Sequence, residues 1–335
     1  MVSFLSNIPQ LAFSESFADL VISADDAVVR VYIAVGTDVL FDEELVPYNG
    51  KLTVYDIKSL LSVYMLNNDL HTCSVKFVAA GSNSVTKEST VLLTTALPDM
   101  AVQQVDSHFL TTRQFITLPR DQKAFDLLHF YNTNGNGSGA SVRFKIESHG
   151  EVFNSSFSRP AMPNNSSMMI KYSDFNNILG DGDKIVSASA NVGNRTIPIF
   201  FSDFMPTVSF IFLNAFGRQE VIHIFGTTED KLNVEREVAN CYNRSMFYDS
   251  SKLSEFSVVS LPMNPFEAEQ LQQLFASPRV AVLQSPDDYE DTQWSNYEEV
   301  LITSSEVVKT DSDEELTTAK FTWRFASNQA KVKLY

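Results

Sequence analysis

The sequence predicts a mainly β protein: tandem β-sandwich-like domains with short helices, followed by a C-terminal β-rich (α+β) domain. Three observations predict it. Apolar and polar residues alternate along many short runs, and 26 phenylalanines in 335 residues supply the aromatic side chains that strands favour. Helical patterns are few and short, which favours a sandwich over an α/β fold. The chain also repeats itself. VRVYI (Val29 to Ile33) is matched by VRFKI (Val142 to Ile146), Gly36 by Gly150, YDIKSLL by YSDFNNIL, and CSVKFVAAGSN by IVSASANVGN. The offset is 113 residues between the VR pairs and 118 between Asp56 and Asp174.

These matches divide the chain at Leu97-Pro98-Asp99 and at Met205-Pro206, giving domains 1–98, 99–205 and 206–335. In the first, residues 28–35 and 51–55 read as strands. Pro47-Tyr48-Asn49-Gly50 between them carries the Asn-Gly hairpin signal. Asp56 is placed to cap a short helix bearing Ile57, Leu60, Leu61 and Tyr64, and strands return at 73–80 and 89–95. LSNIPQLAF at the start suits an arm docking on a neighbour, or a frayed end. In the second domain, Phe109 to Leu118 reads as one or two strands and FDLLHFY as a buried strand. The loop NTNGNGSGAS comes next, then strands at 142–147 and 168–172, a helix at 174–179 and a strand at 184–191. In the third, VSFIFLNAFG and VIHIFG are strands, while residues 229–241 fit strand or helix. Pro265 to Ala276, near 265–276, is the clearest helix, with Pro265 at its first position. Strands at 279–283, 299–308 and 320–326 follow, and Trp323 falls in a core position.

The formal charge of −16 divides as −6, −1 and −9 over the three domains. No basic stripe interrupts it, so nucleic acid is not an expected partner. The apolar runs are too short to span a bilayer, and the N-terminal residues lack the pattern of a signal peptide, so no membrane partner is expected either. Cys73 and Cys241 read as small buried hydrophobes.

Little in the chain has the form of a reaction centre. The five histidines show no metal-ligand spacing, and His129 and His223 stand inside apolar strands as core or sheet-face residues. Asn132, Asn134 and Asn136 begin like a calcium loop, but Arg143 stands where the bidentate glutamate belongs. The acidic runs DDYED and DSDEE read as solvated turns that also blunt sheet edges. No catalytic, cofactor-binding or metal-binding residue is therefore assigned, and no cofactor is implied. Trp294, Tyr297 and Tyr242 are the candidate contacts to a glycan or partner, because aromatic rings beside a polar turn can stack on sugars.

The C-terminal third carries a resemblance. VSFIFLNAFGRQEVIHIFG, with its Leu213-to-Gly217 step, the helix leading into SPRVAVL, VLITSSEVV, and AKFTWRFASNQAKVKL together resemble structural virion proteins of Bacteroidota bacteriophages, crAss-like phages among them. Those are tail, baseplate or neck components. The resemblance implies a non-enzymatic protein, made in the host cytoplasm and assembled with itself and other virion proteins in a symmetric array. It transfers no functional residue. The alternative expectation is a carbohydrate-binding, adhesin-like module that recognises a host-surface glycan.

Overall fold

The computed structural model describes residues 1–95, 110–130, 140–159, 166–192, 195–241, 244–283, 297–309 and 317–327. The chain forms two compact units. One comprises Met1–Leu110 with Ala215–Arg218, the other Thr111–Asn214 with Gln219–Tyr335. The stretches read from sequence as second and third domains thus fall in one unit.

The first unit contains β1 (Val2–Phe4), β2 (Leu11–Phe13), β3 (Leu20–Ala24), β4 (Val29–Val35), β5 (Asp38–Leu45), β6 (Lys51–Val54), α1 (Ile57–Asn67), β7 (Thr72–Ala80) and β8 (Ser84–Leu92). One sheet has the order β2-β8-β7-β4-β5, the other β1-β3-β6. The pair β2–β8 is parallel and every other pair antiparallel. This strand order matches that of immunoglobulin-type sandwiches. Strand alternation builds the core. Val29, Val31 and Ile33 of β4 and Val75, Phe77 and Ala79 of β7 point inward and are fully buried. Cys73 is a buried free thiol in this core, and burial pushes it up to about 11.

Three local expectations are corrected here. The N-terminal residues are not a free arm, because β1 and β2 are both paired within the sandwich. Asn49 and Gly50 do adopt positive φ, at 50° and 74°, but their turn bridges Tyr48 to Lys51. The flanking β5 and β6 lie in different sheets, so no hairpin of those strands results. Asp56 precedes α1 in a left-handed conformation without capping it by a side-chain bond to the backbone. Its carboxylate instead accepts from the Ser59 hydroxyl at 2.6 Å.

The second unit opens with β9 (Ile116–Pro119), β10 (Phe125–Phe130), β11 (Ala140–Ser148), β12 (Glu151–Arg159), β13 (Ser166–Lys171), α2 (Tyr172–Asn176), β14 (Lys184–Val192) and β15 (Arg195–Ser202). The sheets are β12-β11-β14-β15-β9 and β10-β13, with β15–β9 parallel. Strand for strand, β9 to β15 repeat the order and the parallel or antiparallel pairing of β2 to β8, helix included. The repeat seen in the sequence is thus a repeat of topology. Phe175 of α2 is fully buried, with Phe144, Phe157 and Phe201 edge-on at 5.1–5.4 Å. Such pairs add about 0.5–1.5 kcal/mol each beyond simple burial.

The remaining strands are β16 (Val208–Leu213), β17 (Gln219–Ile224), β18 (Gly226–Cys241), β19 (Arg244–Ser260), β20 (Val280–Val282), β21 (Glu298–Lys309) and β22 (Thr317–Phe325), with helix α3 (Pro265–Ala276). They make one sheet, β17-β16-β20-β21-β22-β19-β18. Asn264 caps α3. Its Oδ1 accepts from the Phe266 and Glu267 amides, both at 3.0 Å, and Glu267 reciprocates on the Asn264 amide. Leu271 and Leu274 of α3 pack with Phe210, Phe212, Phe321 and Trp323 of the sheet. Residues 229–241, ambiguous in sequence, are strand.

β18 and β19 pair in register from Gly226↔Ser260 to Cys241↔Arg244, shifting once at Glu237/Val238. Only Phe256 to Val259 of β19 also pair with β22. From Lys231↔Glu255 onward the two strands pair with each other alone among the described strands. At about 3.3 Å per residue this ribbon is roughly 35 Å long.

Candidate functional site

A cluster of buried polar side chains lies in the second unit, where β10 meets β16 and β17. Phe125 and Leu127 of β10 share a core with Ile211, Leu213 and Val221, and all six β10 residues are buried. Two acids in this apolar setting need partners, since an unpaired buried charge is costly. Asp126 receives both terminal nitrogens of Arg113 in a bidentate pair, and both side chains are at most 4% exposed. Arg113 also donates to the backbone carbonyls of Leu127 at 2.8 Å and Val221 at 3.2 Å, tying β10 to β17. Burial pushes the Asp126 carboxyl up to about 6, and the Arg113 guanidinium opposes that shift. Glu220, fully buried, accepts from the Thr112 amide at 2.7 Å and from the Asn214 side-chain amide at 2.8 Å.

The histidines complete the cluster. His129 sets Nε2 at 2.5 Å from the Gln219 carbonyl. His223 stands opposite Ser209 on β16, with Nδ1 at 2.7 Å from the Ser209 hydroxyl and Nε2 at 3.1 Å from the Phe125 carbonyl. A carbonyl can only accept, so Nε2 carries the proton and Nδ1 accepts from Ser209. Burial lowers His223 to about 4. A serine–histidine contact is thus present. Its imidazole is a weak base, oriented by a carbonyl where hydrolytic triads use a carboxylate. The bonds join three strands, which is the work of a cross-strand polar clamp.

A cavity of about 250 Å³ opens beside the clamp. Arg113, Asp126 and His223 lie along one wall, Glu267 and Gln270 of α3 along another, and exposed Phe204 and Leu261 at its edge. The Arg113 terminal nitrogens and the Asp126 carboxylate satisfy each other, and Arg113 Nε is left as a buried donor without a partner among the described residues. Among the described residues no group of three or more His, Cys, Asp or Glu side chains is placed to hold a metal ion.

Of the aromatic residues singled out in sequence, Trp294 and Tyr242 lie outside the described residues, as do the acidic runs at 287–291 and 311–315. Tyr297 is only 9% exposed and packs with Phe125, Leu127 and Val221. Trp323 is buried, stacked on Phe256 with centroids 4.2 Å apart. Sequence reasoning passed over Arg113, Asp126 and Glu220. The available signal was a single acid inside each apolar strand, FDLLHF and QEVIHI.

The Leu213-to-Gly217 step also acquires a physical role. Phe216 is 3% exposed and packs on Phe13 at 5.6 Å in the first unit. Gly217 has φ +64°, and a Cβ there would meet Leu93 at 2.5 Å. No protein-family model matches the chain, and a search of curated proteins finds no similar one.

Proposed function

We propose that this chain is a non-enzymatic structural component of a phage virion, of the tail, baseplate or neck, acting through subunit assembly. The β18–β19 ribbon is the observation that carries the reading. A two-stranded ribbon is marginally stable alone in water, and among the described strands none pairs with its two edges beyond Lys231↔Glu255. A neighbouring strand or sheet would complete both. Two sandwich modules of one topology, joined to a further sheet, suit a scaffold that places such a ribbon against other subunits in a symmetric array. The virion assignment rests on the sequence resemblance above.

The test replaces residues 231–255 by a short Gly-Ser turn in the full chain and follows sedimentation over concentration, alone and with candidate virion partners. The expected result is that the intact chain associates, and the shortened chain stays monomeric with an unchanged melting profile. Identical sedimentation of the two forms, or a monomer throughout, would overturn the role of the ribbon. A second reading, a carbohydrate-binding module, gains support from a different surface.

A further inference from the structure

The outward face of the β12-β11-β14 sheet differs in chemistry from its counterpart in the first module. On β11, Val142, Phe144 and Ile146 point into the core, while Arg143 and Lys145 point out and are exposed. Across from Arg143 stand Ser156 on β12 and Ser189 on β14; across from Lys145 stand Asn154 and Ser187. These six residues border a shallow depression of about 390 Å³. Neither Arg143 nor Lys145 makes an ion pair or a side-chain hydrogen bond among the described residues.

In the first module the matching arginine, Arg30, stands across from Glu44, and its neighbour Tyr32 across from Asp42. Arg30 binds Asp42 through two nitrogens, at 2.6 and 2.7 Å. The second module keeps the arginine. It replaces both acids, by Ser156 and Asn154, and the tyrosine by Lys145. Neither cation then faces an acid across the sheet, in a chain of net charge −16; the acid on this face is Glu147, next along β11 and itself opposite Lys184.

We propose that this face binds an acidic polysaccharide, with Arg143 and Lys145 pairing its carboxylate or sulfate groups. Short serine and asparagine side chains lose little freedom when they bond sugar hydroxyls, and they offer both donors and acceptors. Phe200, 55% exposed, faces outward on β15, two strands from β11 in the same sheet, and offers a ring for a sugar to stack on. The centre of the face lacks the apolar and aromatic core of a protein interface. Two cations on an acidic protein are too few for nucleic acid. The inference stands apart from the assembly role of the β18–β19 ribbon.

Titration of the full chain with polygalacturonate, chondroitin sulfate and neutral dextran tests it. Binding to at least one acidic polymer is expected, weakening as salt rises and falling at least tenfold in the Arg143→Ala/Lys145→Ala double variant. Dextran should bind far more weakly, and Arg30→Ala should leave binding unchanged. Both substituted positions are exposed, so the fold should persist, as circular dichroism would show. Failure of the intact chain to bind either acidic polymer would overturn the proposal, as would equal binding by the double variant or by dextran. Sedimentation of the double variant should match that of the intact chain, which separates this result from any failure of assembly.

Discussion

The two sandwich modules share a strand order yet differ in what covers their equivalent strands. β3 of the first module alternates buried and half-buried residues, LVISA, as a strand with one open face should. Its counterpart β10, FDLLHF, is buried throughout, because β16 and β17 cover the side that β3 leaves open. Polar residues follow suit. The first module's arginine pair, Arg30–Asp42, is exposed, whereas Arg113–Asp126 is sealed inside the second unit. One topology can therefore carry an ion pair as surface decoration or as part of a core. The surroundings decide which, because the cost of an unpaired charge depends on access to water.

The largest effect should come from breaking the sealed pair. Asp126→Ala leaves Arg113 buried without its partner, and about 3–5 kcal/mol of the second unit's stability should be lost. Urea unfolding would measure it, and the first unit's transition should not move. Asp42→Ala in the first module should have little effect; equal losses at the two sites would break the comparison.

Acid should weaken both units. His223 in the second and His71 in the first are each lowered to about 4, His71 by burial and by the nearby Arg218 charge. Each stays neutral when folded, while the unfolded chain takes up a proton below its ordinary value of about 6.5. Their contribution is therefore present above pH 6.5 and lost as pH falls toward 4, by roughly 3 kcal/mol each. Melting temperatures across that window should fall, and His223→Gln should flatten the fall in the second unit alone.

A smaller effect than either concerns the turn that both modules place after the repeated VR strand. Gly36 and Gly150 have φ +57° and +84°, with open space where a Cβ would sit. Substitution by alanine at either should cost about 1–2 kcal/mol from backbone strain alone. The larger loss should fall at Gly150, which lies further from the left-handed minimum. A much larger loss at one site, read from denaturant midpoints, would show that the two turns are not equivalent.

Much of this was legible in the residues. Alternation in VRVYI and VRFKI marks strands because successive side chains face opposite sides. The matching turns and helices exposed the repeat, and Pro265 at a first helical position marked α3; the Asn264 cap emerged with the structure. The candidate sites were less legible. Asp126 and Glu220 stand in apolar strands, but nothing local says that Arg113 and Thr112 meet them. Arg30 and Arg143 sit in the same VR motif; whether each has a counter-charge depends on the strand across the sheet.

Local hydrophobic period in the residues was enough for the β class, the repeat and the short helices, whereas the Asn49-Gly50 turn and Asp56 did not yield the hairpin and side-chain cap they predict. Only the tertiary structure decided which strands are neighbours, that β10 is covered on both sides, which charges are sealed and which stand free, and that β18 and β19 continue as a ribbon past their sheet. Those outcomes depend on contacts between residues distant in the chain, where desolvation and pairing are set by whatever the fold brings alongside.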